Sequence, residues 1–329
     1  MDRRQLMGLS ALALSGAALA ATRTVAAPST EPPATVPETI PLWPNGLPGG
    51  ETASPTLTIV DQSTVPDVHD RHISGIAHPT LTVVRPAAPD GSAVLVIPGG
   101  GYLAEAFDEE GLAPAAVLAA HGITAFVLTY RLPAEGWRNR ANVPLQDAQR
   151  AMRIIRAHCR DYGHEPTRSG VLGFSAGGHL AALLATKFAV NSYPPMDETD
   201  VYDPRPSFAG LIYPVVTMLP PYAHESSRQK LLGEKVSVAQ RTAYSAERFV
   251  TGATPPTFLC ATDDDPDVPA ENSLMMFAAL RAAKVPSEMH IFERGGHGFG
   301  LGPPSEPVSQ WPELFLRWGA SRTYFRNIA

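Results

Sequence analysis

The chain has 329 residues, 44% of them hydrophobic and 18% charged, with a formal net charge of −6. That composition is the one expected of a globular domain large enough to bury its own core without metal or disulfide support. The acidic balance, with no run of basic residues, argues against nucleic acid as the partner and disfavours anionic membrane surfaces.

The chain opens on an export signal. Asp2-Arg3-Arg4 precedes an apolar run from Leu6 to Ala20, and Ala18-Leu19-Ala20 offers a small-residue cleavage site. The Arg3-Arg4 pair resembles a twin-arginine signal. Residues 1–27 are therefore expected to be removed, with cleavage near Ala20 or Ala27, in a periplasmic or secreted protein. The run is too short and too rich in Ala, Gly and Ser for a stable membrane anchor. Residues 28–50 are dense in Pro and Gly and predict an extended arm laid on the surface of a catalytic domain spanning 28–329.

Strands and helices then alternate. Leu81–Val84 and the continuous apolar run Ala93–Ile97 read as strands, the second buried on both faces. A short helix follows at Leu112–His121 and a strand at Thr124–Leu128. Pro144–His158 reads as an amphipathic helix, with Leu145, Ala148, Met152, Ile155 and Cys159 at 3,4,3,4 spacing and Pro144 in its first turn. Val171–Phe174 predicts a strand and Leu180–Phe188 a helix. Residues 189–206 predict a polar loop and Phe208–Tyr213 a strand. Residues 218–254 are mixed and suit a small cap. Thr257–Cys260, Glu271–Ala283, Glu288–Phe292 and Glu313–Tyr324 complete the series as strand, helix, strand and helix. This order implies βαβ units and a mainly parallel sheet, whose chemistry belongs beyond the carboxyl ends of its strands.

Gly173-Phe174-Ser175-Ala176-Gly177 fits the G-x-S-x-G turn between strand and helix. Its glycines let helix and strand approach closely, so that Ser175 occupies the strained point of the turn. A serine needs a base, and the base an orienting acid. Both stand downstream on loops leaving strands. Four acids, Asp263, Asp264, Asp265 and Asp267, follow Thr257–Cys260, and Asp265 is favoured over Asp264 because it stands directly before Pro266 and three residues before Val268. His297 lies in a glycine-rich loop after the last strand. His290, inside that strand, and His179, too far into the helix to face Ser175, read as structural. Gly99-Gly100-Gly101 after the buried strand exposes amides that, with the N–H of Ala176, suit an oxyanion. No phosphate-binding glycine motif is present. His69 and His72 share a His-x-x-His spacing without a zinc signature and read as a polar loop, like the acidic run Asp197–Asp200, so no metal or cofactor is expected. A disulfide between Cys159 and Cys260 stays open, because both lie in apolar segments where free thiols are also buried.

IPLWPNGLPGG, PGGGY at 98–102, YRLP at 130–133 and PLQDAQRAMRIIR at 144–156 join GFSAGGHLAA at 173–182, PPTFLCATDDDPDVPAENS at 255–273 and GGHGFGL at 295–301. Together they resemble α/β-hydrolase esterases of the acetylxylan and carbohydrate acetyl esterase branch, related to hormone-sensitive-lipase-like enzymes, from about residue 40 onward. The resemblance implies an α/β-hydrolase fold with a mainly parallel central sheet flanked by helices and a small cap or none. It also implies a triad of Ser175, His297 and Asp265 and an oxyanion hole at the amides of Gly100, Gly101 and Ala176. Two departures from the family pattern stand out, the first shared with the carbohydrate-esterase branch and the second leaving the acid open between Asp265 and Asp264. Pro98 stands where lipase-like relatives carry His, and the acidic run holds an extra Asp.

The expected activity is deacetylation of a small-molecule or oligosaccharide ester, such as acetylated xylan, with Tyr102 and Trp137 lining the acyl or sugar site. The alternatives are a general short-chain carboxylesterase, a serine peptidase or amidase, and an inactive hydrolase fold that only binds.

Overall fold

The computed structural model describes residues 38–50 and 53–326. The expected export signal, residues 1–27, and the first part of the arm, residues 28–37, lie outside the described residues.

In chain order the strands are β1 (Glu38–Pro41), β2 (Thr58–Asp61), β3 (Arg71–Ser74), β4 (Thr80–Val84), β5 (Ala93–Ile97), β6 (Glu105–Ala106), β7 (Thr124–Thr129), β8 (Ser169–Phe174), β9 (Ala209–Ile212), β10 (Thr257–Thr262) and β11 (Ser287–Phe292). The helices are α1 (Ala113–Ala120), α2 (Val143–Ala157), α3 (Ser175–Lys187), α4 (Glu225–Leu232), α5 (Val238–Ala243), α6 (Glu271–Ala282) and α7 (Trp311–Ser321). None of the described helices is long and apolar enough to cross a membrane.

Eight strands form one sheet in the order β1-β4-β7-β5-β8-β9-β10-β11. The β1–β4 and β4–β7 pairs are antiparallel, and every pair from β7 to β11 is parallel. Every residue of β5, β8, β9 and β10 is buried. Strands covered by helices on both faces read as continuous apolar runs for this reason. Against the β9–β10 end of the sheet, α7 carries an aromatic cluster. Phe315 and Trp318 stack at 5.9 Å and meet Phe208 and Phe258.

Structure and expectation differ at four points. The end of the arm is part of the fold: β1 is the outer strand of the sheet, and Leu42 and Trp43 just beyond it are buried. Trp43 Nε1 donates to Asp147 Oδ1 at 2.7 Å, and Asp147 also pairs with Arg131, both side chains being fully enclosed. A second sheet, β2-β3-β6, was not expected at all. The helix after the serine begins at Ser175 itself, five residues earlier than the apolar pattern suggests. Cys159 lies beyond the end of α2, and both it and Cys260 are free thiols.

Candidate active site

The loops leaving five adjacent parallel strands, β5, β8, β9, β10 and β11, carry the Gly99–Gly101 turn, Ser175, Tyr213, the Asp263–Asp267 acids and His297, respectively. Parallel strands end on one side of a sheet, so the topology alone collects these groups along one edge.

Ser175 sits at φ +49, a left-handed value that a side chain adopts only under constraint. The constraint is steric. A Cβ on Gly177 would collide with the carbonyls of Ile97 and Pro98, and one on Gly173 with the backbone of Gly177. Helix α3 is thus pressed against the ends of β5 and β8, and the chain can pass from strand to helix only through one sharp residue. Of the six described non-glycine residues at positive φ, three are Tyr102, Ser175 and Tyr213, all at this edge. Strain of this kind persists where surrounding contacts over-determine it.

Ser175 Oγ lies 2.8 Å from His297 Nε2, and His297 Nδ1 lies 2.7 Å from Asp265 Oδ2. A carboxylate can only accept, so Nδ1 carries the proton, and Nε2 of the neutral ring is left as the acceptor for the serine hydroxyl. Asp265 Oδ1 accepts the N–H groups of Asp267 at 2.9 Å and Val268 at 2.8 Å, which fixes the carboxylate plane. Asp264, the other acid weighed from sequence, turns to the backbone and accepts the Gly296 N–H at 2.8 Å. Burial pushes the His297 imidazole down, but the hydrogen bond and charge of Asp265 outweigh it and hold the ring above its ordinary value.

The glycine turn lies alongside. The Gly99 N–H donates to Glu110 Oε2 at 2.7 Å, and a Cβ on Gly99 would sit 2.8 Å from Ser175 Cβ. Gly100 and Gly101 take φ values of +110 and +66. Their amides, and that of Ala176 in the first turn of α3, have no acceptor among the described residues. Three donors without a protein partner therefore lie on the two segments that flank Ser175, a set able to receive the negative oxygen of a tetrahedral intermediate.

Two residues that the sequence did not single out tie this edge together. Glu110, fully enclosed in a wide helical turn at Asp108–Leu112, accepts from Gly99 and, through Oε1, from the Tyr213 hydroxyl at 2.9 Å. Tyr213 Oη in turn accepts the Gly300 N–H at 3.2 Å, and its ring stands edge-on to His297 at 5.1 Å. One carboxylate and one phenol thus connect the glycine turn to the histidine loop. Burial raises the Glu110 carboxyl to about 7, against the opposing effect of the Gly99 and Tyr213 hydrogen bonds.

Tyr102 and Trp137 do not line the site. Tyr102 is 1% exposed, and its hydroxyl meets His179 Nδ1 at 2.8 Å. His179 Nε2 donates to the Tyr244 carbonyl at 2.7 Å, so Nδ1 accepts from Tyr102 and the ring is a neutral strut under the glycine turn. Trp137 is enclosed at 4% exposure against Arg131. Both aromatics serve the interior because the loops that carry them fold inward. His290 pairs with Glu288 on β11, away from the serine. His69 pairs with Asp61, and the acidic run Asp197–Asp200 binds Arg150.

A sheet of this topology with a serine, histidine and carboxylate in hydrogen-bonded line at its carboxyl edge defines an α/β-hydrolase. The chain belongs to the BD-FAE family, whose pattern matches residues 82–280. It is 33% identical over 221 residues to an acetylxylan esterase of Xylanibacter ruminicola, covering 66% of this chain and 43% of that one. It is 36% identical over 214 residues to endo-1,4-beta-xylanase B of Butyrivibrio fibrisolvens, covering 62% of this chain and 32% of that one. The chain therefore spans between about a third and somewhat over two fifths of the length of these two relatives. Its fold is similar to that of an acetyl ester-xyloside bifunctional hydrolase from Caldicellulosiruptor lactoaceticus, with a TM-score of 0.73 and 34% identity over 89% of this chain and 100% of that one.

Proposed function

We propose that the chain is an exported serine ester hydrolase that removes acetyl groups from xylan or related oligosaccharides. The observation that carries this reading is the unbroken line from Ser175 Oγ through His297 to Asp265, set beside the unpaired amides of Gly100, Gly101 and Ala176. The acetyl and xylan parts of the reading are supported by the likeness to an acetylxylan esterase and an acetyl ester-xyloside hydrolase. Export to the periplasm or beyond is supported by residues 1–27 and suits a polymeric substrate.

In this mechanism Ser175 Oγ attacks the acetyl carbonyl while its proton passes to His297 Nε2. The negative charge that develops on the carbonyl oxygen meets the three amides, and Asp265 stabilises the imidazolium and keeps the ring in its reactive tautomer. The bond to the sugar oxygen breaks, that oxygen takes the proton from His297, and the acetyl group remains on Ser175. Water, deprotonated by His297, releases acetate and restores the serine.

Acetate release from acetylated xylo-oligosaccharides and from 4-nitrophenyl acetate tests the proposal. Wild type is expected to act on both and Ser175→Ala on neither, with unchanged circular dichroism. Activity on the nitrophenyl ester alone would contradict the carbohydrate substrate, and activity retained by Ser175→Ala would contradict the serine mechanism.

A further inference from the structure

His224 immediately precedes α4. Its Nδ1 lies 2.8 Å from Ser227 Oγ. Ser227 is fully buried, and its hydroxyl would stand 4.0 Å from a Cβ built on Gly101. The His224 ring is 6.4 Å from the His297 ring, inclined at 36°. The pair therefore stands between the glycine turn and the general base. Its Nε2 has no partner among the described residues.

The segment is held firmly. The Tyr222 carbonyl accepts Asn272 Nδ2 at 2.9 Å, while Asn272 Oδ1 accepts the N–H groups of Val216 and Thr217. At the other end of α4, Arg140 donates to the Lys230 carbonyl through Nε at 3.0 Å and Nη2 at 2.7 Å. A polar side chain whose support is fixed at both ends is a precise contact, because little freedom is lost when it binds.

Chemistry says what lies there. The departing oxygen of the ester must reach His297 Nε2 to collect its proton, so the alcohol portion of the substrate lies against His297 on the open side. Tyr213 and Asp265 close the other sides of that ring. We propose that His224, positioned by Ser227, binds the alcohol portion of the ester, its Nε2 hydrogen-bonding a hydroxyl of a sugar or other polyol beside the reacting oxygen. Burial, with the nearby His297, keeps the His224 ring below its ordinary value. A neutral ring that accepts the Ser227 hydroxyl proton at Nδ1 presents an N–H at Nε2, and it does not oppose the imidazolium that forms on His297. The inference rests on the ester-hydrolase reading above and adds to it the residue that selects polyol esters.

The test compares two acetyl esters that differ only in alcohol, acetylated xylo-oligosaccharides and 4-nitrophenyl acetate, with wild type, His224→Ala, His224→Gln and Ser227→Ala. The loss in kcat/KM for His224→Ala is expected to be about tenfold greater on the oligosaccharide than on the nitrophenyl ester. The loss should fall mainly in KM, with partial rescue by His224→Gln, whose amide also donates. Xylotriose should inhibit nitrophenyl acetate hydrolysis more weakly in His224→Ala than in wild type. Equal losses on the two esters, or none on either, would overturn the proposal while leaving the serine mechanism standing. If wild type cleaves neither ester, the hydrolase reading fails by itself. Titration of xylotriose into Ser175→Ala, with and without His224→Ala, then decides the binding claim, and absent or equal binding overturns it.

Discussion

Asp264 and Asp265 are neighbours in the chain and hold the same loop at two different points. Asp265 Oδ2 meets the His297 ring at 2.7 Å, and Asp264 Oδ1 accepts the Gly296 amide at 2.8 Å, one residue earlier. The successive carboxylates face different ways after β10, so one orients the imidazole and the other pins the backbone that carries it. Asp265→Asn is expected to lower kcat on 4-nitrophenyl acetate by about 10³–10⁴-fold, because the amide favours the wrong tautomer of His297. Asp264→Asn should cost less than about tenfold, since an exposed backbone contact is worth little more than one ordinary hydrogen bond. Steady-state kinetics on the two variants checks the assignment, and the reverse order of losses would exchange the two roles.

The acid limb of activity follows from His297. Only the neutral ring accepts the Ser175 proton, so kcat/KM rises as pH climbs through the His297 value. Asp265 holds that value above the ordinary 6.5 despite burial. The pH profile of kcat/KM is expected to show an acidic midpoint above 6.5, and Asp265→Asn should move the midpoint down as well as lowering the plateau.

Glu110 gives a stability signature of its own. Its carboxyl is raised from 4.5 to about 7 in the folded protein. The folded state therefore holds a proton that the unfolded chain releases across that window. On this group alone, the stabilising contribution is complete below about pH 4.5 and is lost as pH rises towards 7. Glu110→Gln should flatten that part of the stability profile in urea titrations. It should also cost about 1–3 kcal/mol, because an amide can accept from Gly99 or from Tyr213 but not from both. The negative charge of Glu110 also helps to hold His297 high, so the same variant should shift the acid limb of activity downward.

How much of this was readable beforehand depended on whether the signal was local. The runs Ala93–Ile97, Val171–Phe174 and Thr257–Cys260 announced themselves because strands buried on both faces must be apolar throughout. Ser175 was marked by the glycines that its turn requires. By contrast, Glu38–Pro41 lies in a proline-rich stretch and β6 is two residues long, so neither carries a period, and the β2–β3–β6 sheet was invisible. Tyr102 and Trp137 looked available because an aromatic beside a glycine turn does not reveal which way its loop folds. Glu110 and Tyr213 are 103 residues apart, and their pairing is a product of topology alone. Only the cluster Asp108-Glu109-Glu110 ahead of an apolar helix hinted that an acid was needed there.

The close approach at the elbow sets a steric prediction. Gly177→Ala would drive a methyl into the backbone carbonyls of Ile97, the last residue of β5, and Pro98, the next residue. Overpacking of this kind costs about 1–3 kcal/mol or more. The variant should show a lowered melting temperature together with lost activity, since the same shift displaces Gly99 from Ser175.

In the proposed mechanism Ser175 is the nucleophile, activated by His297. Labelling the native protein with a fluorophosphonate and mapping the adduct by peptide mass spectrometry tests it most directly. One adduct is expected, on the peptide that contains Ser175, absent from Ser175→Ala and formed far more slowly in His297→Ala. An adduct on a different serine, or undiminished labelling of His297→Ala, would contradict it.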